Sequence, residues 1–354
     1  MHSPSYHPLD GALDRLSGYG TELATGNFNH APMVAEALCA MGRADAVMPW
    51  IERYQGRLVA RASAGEPIRP AEWPGALGQR DRFPAWSALF ARELRDAAWR
   101  EVLDRWAGRL APGVSAAATH GVIRVGHAVR ALGNGESPQR LGELADALAS
   151  WAASYSELPT EGGLANGALT PREAIARVAI MPPERRRPGN IVAALKGLDE
   201  FADFAPTIGV IDLGGDIDGL IAQLTELFVR VYLANAQTPL TAIVFIHGVT
   251  SLAALGHIAP HVSEANARRL LRYGWQAGCG LYACFGSGAA FAAEVAADVE
   301  DAQSLPEPLI DRALAHGDEH VIKFTEACLS RHALDSSPAY PAAVASVFGM
   351  IGRR

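Results

Sequence analysis

The stretch "HGDEHVIKFTEACL", residues 316–329, decides how the chain is read. At 3.6 residues per turn, Val321, Phe324, Ala327 and Cys328 form one buried side of a helix, while Glu319 and Glu326 mark the wet side. His320 and Lys323 fall between them, on one flank. Two readings stand: a solvated edge on which Glu319 and Lys323 pair four residues apart, or a ligand pair turned towards an internal site.

Outward from this helix, alanine, leucine, arginine and glutamate dominate and strand-like alternation is rare. Segments 33–56, 86–109, 116–132, 138–154, 189–204, 214–235, 240–255, 263–298 and 306–331 are predicted as helices. "SPQR" at 137 sets a serine before a proline at the first helical position. "TPRE" at 170 repeats the device, with Glu173 completing a capping box. Helices with short polar breaks make the expected fold all-α: a large multi-helix bundle with an internal metal and substrate cavity, one domain over 1–354. The stretch 155–190, rich in Gly and Pro, reads as a long excursion with one short helix, either a lid over the cavity or a variable surface loop. "CFGSGAAF" at 284–291 follows no strand and lacks a third glycine, so it is no dinucleotide fingerprint; its small residues are expected to let two helices pack closely.

The chain has 354 residues and a formal charge of −7. Nearly half its residues are apolar, enough for a core without disulfides. No clustered basic surface is legible, which argues against nucleic acid as a partner; the one basic run, "PERRRPGN" at 183–190, reads as a solvated loop. The start, "MHSPSYHPLDGAL", has neither the basic nor the apolar part of a signal peptide. The most apolar run, "TAIVFIHGVTSLAALGHIAP", contains two histidines and ends at proline, so a buried helix is expected rather than a membrane span. Cys39, Cys279, Cys284 and Cys328 form no CxxC and read as buried free thiols, fitting a reducing cytoplasm.

Five of the eleven histidines lie in or beside predicted helices with apolar neighbours: His30, His120, His127, His247 and His320. Each alone reads as a core residue with one hydrogen-bond partner. Five together are costly to bury, and a shared metal would satisfy several at once. His120 and His127 are separated by about 10.5 Å of helical rise, so one of the two stands behind the ligands or in the substrate wall, unless Gly121 or Gly126 marks a break. A protonated lysine cannot bind a cation. If buried beside positive charge, however, Lys323 becomes a neutral amine able to add carbon dioxide and form a carbamate, an anionic oxygen donor. That would serve a site in which no Asp or Glu of the histidine motifs sits at ligand spacing; Glu36, a turn and a half from His30, is the spare candidate. A nitrogen-rich, partly open site suits iron, zinc, copper or nickel.

These residues also carry a resemblance. "NFNHAPMVAEALCAMGR", "HGVIRVGHAVRAL", "FIHGVTSLAAL" and "DEHVIKFTEA" resemble the signature blocks of the questin oxidase-like family, in order, from about residue 27 to 328. The resemblance implies an all-α enzyme that oxidises a polycyclic aromatic, polyketide-type substrate with O2, by ring opening or oxygen insertion, at a non-haem iron. Position by position it implies His30, His120, His247, His320 and carboxylated Lys323 as metal ligands; His127, which this carry-over does not cover, is expected behind the ligands or in the substrate wall. One departure stands out: where fungal members have a second histidine four residues after the first of that block, this chain has Arg124. Arg124 would face an acidic or phenolate substrate, or pair with a core carboxylate.

Rival readings are an NADPH- or flavin-dependent Baeyer–Villiger-type monooxygenase, against which stands the lack of a Rossmann pattern, a helical protein that sequesters a small aromatic molecule, and a metal-free bundle. Phe28, Trp50, Phe245 and Trp275 are candidates for a pocket lining or plain core. Zinc would favour similar ligands to iron, and the oligomeric state, a homodimer among the options, stays open.

Overall fold

A computed structural model gives the fold and describes residues 3–63, 65–161, 166–292 and 306–353. The described residues are all-α apart from two short strands, as the apolar periodicity predicts. They gather into two compact units, Met1–Ser156 with His257–Asn266, and Glu157–Gly256 with Ala267–Arg354.

The first unit holds α1 (Leu9–Leu16), α2 (Ala31–Ala40), α3 (Val47–Tyr54), α4 (Trp73–Ala76), α5 (Phe83–Asp96), α6 (Trp99–Leu110), α7 (His120–Gly133) and α8 (Pro138–Ala153). α8 starts where the sequence signals it, with Ser137 accepting from the Arg140 amide. It packs against α5 and α7, and the approach to α7 is close because Gly121 has no side chain. A Cβ there would lie 2.8 Å from the Cα and Cβ of Trp151. Gly121→Ala is therefore expected to destabilise the protein by about 1–3 kcal/mol through overpacking. A urea midpoint equal to that of the native chain would show slack between the two helices. Beside α8, Trp86, Phe90 and Trp106 form an edge-to-face cluster, with Trp86 and Phe90 at 5.6 and 4.8 Å from Trp106.

Two predicted helices divide here. Segment 33–56 breaks after Gly42, whose φ of 72° is in the left-handed region. Segment 86–109 breaks at Ala97 and Ala98, both extended. The apolar period runs through such breaks because the helices on either side bury the same face, so the pattern does not reveal them. A two-stranded antiparallel ribbon, β1 (Tyr19–Leu23) with β2 (Leu58–Ala60), pairs Tyr19 with Ala60 and Leu23 with Leu58. It is too short for a period-two pattern to register.

The second unit holds α9 (Pro171–Ile175), α10 (Ile191–Lys196), α11 (Ile217–Asn235), most of α12 (Pro239–Ile258) and α13 (Glu264–Phe285), then α14 (Pro306–His316), α15 (Glu319–Asp335) and α16 (Ala339–Met350). The Phe228 ring of α11 lies against Gly278 of α13, where a Cβ would meet it at 2.3 Å. Predicted segment 306–331 divides at Gly317, φ 79°. α15 packs against both α14 and α16, which corrects the reading of its polar side. Glu319 and Glu326, expected to be wet, are only 3% and 2% exposed.

The short helix expected in 155–190 is α9, with the Thr170–Glu173 capping box formed; residues 162–165 lie outside the described residues. α13 ends at Phe285, and the glycine-rich stretch after it is loop. The amide and hydroxyl of Ser287 donate to Asn235 Oδ1 at 2.8 and 3.0 Å. That corrects the expectation of a helix–helix contact; the rest of the predicted segment, 293–298, lies outside the described residues. Pro239–His261 is the one helix among the described residues long and apolar enough to cross a membrane, and 83% of its apolar window is buried. All four cysteines are buried and free.

Candidate functional site

In the first unit, α2 and α7 run side by side in the same direction, pinned by two cross-links. Near their starts, His30 Nε2 and His120 Nε2 are 2.9 Å apart. Further along, Glu36 meets His127. The His120 ring is set by its other nitrogen, 2.5 Å from the Ala117 carbonyl oxygen. A carbonyl only accepts, so Nδ1 carries a proton, and in an uncharged ring the electron pair then lies at Nε2. Two imidazole nitrogens bound at right angles to one ion at ~2.0–2.1 Å stand ~3 Å apart. An N–H···N hydrogen bond gives the same spacing. Phe28 stacks on His120, ring centres 4.7 Å apart. The His30 amide donates to Tyr54 Oη at 3.1 Å, and Tyr54 in turn stacks on Trp50 at 4.6 Å.

The predicted helix 116–132 begins only at His120, because the residues before it are left-handed. Ala117, Ala118 and Thr119 have φ of 47°, 55° and 68°. A left-handed non-glycine residue costs roughly 1–2 kcal/mol, so three in a row persist only under strong restraint. The restraint is visible. Trp151 Nε1 donates to the Gly113 carbonyl at 2.8 Å, and the Thr119 amide donates to the Ser115 carbonyl at 3.3 Å. Gly113 lies flush against Tyr155, whose ring would be 2.4 Å from a Cβ at that position.

Glu36 is the centre of a buried polar network. Its carboxylate accepts from Arg130 Nε and Nη2 at 2.7 and 2.5 Å, and from Tyr6 Oη at 2.7 Å; His127 Nδ1 lies 2.6 Å away. Burial opposes its charge, yet Arg130 and His127 outweigh burial and hold the carboxyl far below the ordinary range. His127 is thus tied to a carboxylate, and Glu36, the spare ligand candidate, is occupied by a guanidinium. Arg124 makes the second of its two expected contacts. Its Nε and Nη2 donate to Glu143 at 2.6 and 2.8 Å, and Nη1 donates to Ser150 Oγ at 3.1 Å. Burial works against the Arg124 charge, but Glu143 prevails and raises its pKa.

In the second unit, His247 and His320 stand edge to face, ring centres 5.6 Å apart. His247 Nδ1 lies 2.6 Å from the Ile243 carbonyl oxygen, one turn back on α12, so this ring too carries its proton at Nδ1. Burial, with His320 and Lys323 adding to it, pushes its pKa well below the ordinary value. At neutral pH the ring is neutral. Asp318 caps α15 by accepting from the His320 amide at 2.9 Å, and the same oxygen is 3.3 Å from His320 Nδ1. A residue type that starts helices here also orients a ring. Lys323 is 2% exposed. Burial pushes its ammonium down to about 8, against the opposing pull of Glu319 and Asp318.

Ligand atoms of Asp318, Glu319 and His320 all lie within 4.8 Å of one another, so two carboxylates do sit at ligand spacing in a histidine motif. The fold of the helix start brings them there, since Asp318 turns back over the first turn as its cap. Of the expected site residues, the first unit brings together His30 and His120, and the second His247, His320 and Lys323. Phe245 and Trp275 are core: both are fully buried, and Trp275 Nε1 donates to the Thr207 carbonyl at 3.0 Å. Glu36, Arg130 and Tyr6 gave no signal as a network, since their partners lie far apart in sequence.

No curated protein matches the chain. The questin oxidase-like family does, over residues 28–328, a stretch that contains every histidine and lysine named above. The chain belongs to the questin oxidase-like family.

Proposed function

We propose that the protein is an oxidoreductase that uses O2 to oxidise a phenolic polycyclic aromatic molecule at one non-haem iron. The ligands would be His30, His120, His247, His320 and carboxylated Lys323. One observation carries the reading: three of the four imidazoles have Nδ1 held by an acceptor, the Ala117 carbonyl, the Ile243 carbonyl and the Asp318 carboxylate. Rings so fixed keep Nε2 for a cation, the way ligating histidines are oriented by their surroundings. The donor set therefore fits a borderline metal such as iron, with zinc a competitor. The family's name supports an oxidase acting on an aromatic compound.

Bound iron would supply Lewis acidity and one-electron chemistry, which the side chains lack. The chain's own residues do the rest. His247, neutral through burial, needs no proton removed before it can donate. Lys323, with its depressed pKa, adds CO2 through its neutral amine: the N–C bond forms, one N–H proton leaves, and an anionic carbamate oxygen results. That charge offsets part of the cation's, which neutral imidazoles alone do not. Phe28, stacked on His120, gives the ring an apolar cover against water. Arg124 is committed to Glu143 and takes no part in this reading.

Elemental analysis of freshly purified protein should find close to one iron per chain, and His247→Ala, folded by circular dichroism, should lose it. Purified iron-loaded protein should then consume O2 with a hydroxylated anthraquinone. Protein that carries no metal yet still binds that compound would be a sequestering module instead.

A further inference from the structure

We infer that the left-handed turn Ala117–Thr119 is a positioning device for His120. It presses the Ala117 carbonyl onto Nδ1 and so reserves Nε2 for a ligand. The inference rests on the reading of His120 as a ligand and adds to it the part of the chain that orients the ring.

Ala117 is half-buried, while Ala118 and Thr119 are only 4% and 1% exposed. It is fastened at its start through Gly113 to Trp151 and Tyr155. At its end, Gly121 abuts Trp151. The Ala117 carbonyl serves two groups of the same residue, the His120 amide at 3.3 Å and the His120 ring at 2.5 Å. Glycine would adopt these φ values without strain, and the chain uses alanine and threonine instead. A glycine peptide can also leave this conformation for several others, in most of which the carbonyl no longer faces the imidazole. Alanine held left-handed by its neighbours has fewer escapes. On this view the strain is the accompaniment of a carbonyl that cannot rotate away.

The test uses Ala117→Gly and Ala118→Gly in the full chain, with Ala118→Asn as the conservative variant, because asparagine tolerates the left-handed region. Two readouts separate positioning from bulk stability: the 15N shifts of the His120 ring, which report its tautomer, and the affinity for added Fe(II). The glycine variants should melt at or above the native temperature, since strain is relieved. Their His120 should pass from a single Nδ1–H form to a mixture, and Fe(II) affinity should fall about 10–100-fold, as when groups that orient a ligating histidine are removed. The asparagine variant should keep both native properties. Glycine variants with a single tautomer and native affinity would overturn the inference, and so would a clear fall in melting temperature with the tautomer unchanged. If the native protein takes up no Fe(II), the proposed function fails, while the tautomer measurement still decides the role of the turn.

Discussion

Replacing Glu36 by glutamine is expected to lower the folding free energy by about 3–5 kcal/mol, the range found when one partner of a buried ion pair is removed. The amide keeps the shape but not the charge. Arg130, whose side chain is 13% exposed, is then left with an uncompensated guanidinium, and His127 loses the carboxylate at its Nδ1. Because Glu36 is on α2 and its charged partners Arg130 and His127 are on α7, the loss falls on the pairing of the two helices that also carry His30 and His120. Urea unfolding gives the size. Glu52→Gln is the comparison: its partner Arg15 and itself are 40% and 57% exposed, and a change within about 0.5 kcal/mol is expected there. Equal midpoints for the two variants would mean that the buried network contributes little.

The same carboxylate sets an acid limit. Its folded pKa lies below its ordinary value of 4.5, so the folded state binds the proton more weakly than the unfolded chain. The stabilisation is complete above that ordinary value and is lost progressively as pH falls from it towards the depressed folded value. Native protein should therefore lose more stability between pH 5 and pH 3 than Glu36→Gln does. Parallel curves would show that another carboxylate dominates acid unfolding.

Lys323→Ala is expected to weaken iron binding by more than about 100-fold, exceeding the effect of removing a group that merely orients a ligand. With the ammonium pKa at about 8 instead of 10.5, the neutral amine is roughly 300-fold more populated near neutral pH than in an exposed lysine. Only that form adds CO2, so carbamate formation should rise as pH climbs towards 8. Protein incubated with 13C-bicarbonate should show one carbamate resonance that Lys323→Ala lacks. Lys323→Glu, which places a carboxylate nearby without CO2, should recover part of the affinity. Asp318 and Glu319 set up a sharp contrast, since they offer carboxylates beside His320 without any modification. If Lys323→Ala keeps its iron while Glu319→Gln loses it, the anionic ligand is Glu319 and the carbamate is excluded.

The all-α class was legible because helical periodicity is local: every turn that buries Val321, Phe324 and Cys328 repeats the evidence. Caps were legible for the same reason, as Ser137 and Thr170 act on amides three residues away. The breaks at Gly42, Ala97 and Gly317 were not, because adjoining helices continue one buried face and leave no change of period. Nor was the burial of Glu319 and Glu326, which depends on α14 and α16 packing against α15.

The sequence by itself determined the residue types of the candidate site, four histidine blocks and a lysine in an apolar chain, and through them the family. Tertiary structure alone decided what each ring nitrogen faces. Hydrogen bonds reach ~3 Å in space but join residues such as Glu36 and Arg130 across most of a unit. A left-handed run of alanine and threonine before His120 has no compositional mark, since glycine, the residue that would announce it, is absent. Local pattern follows from the covalent order of the chain. The state and aim of an imidazole follow from what the fold presses against it.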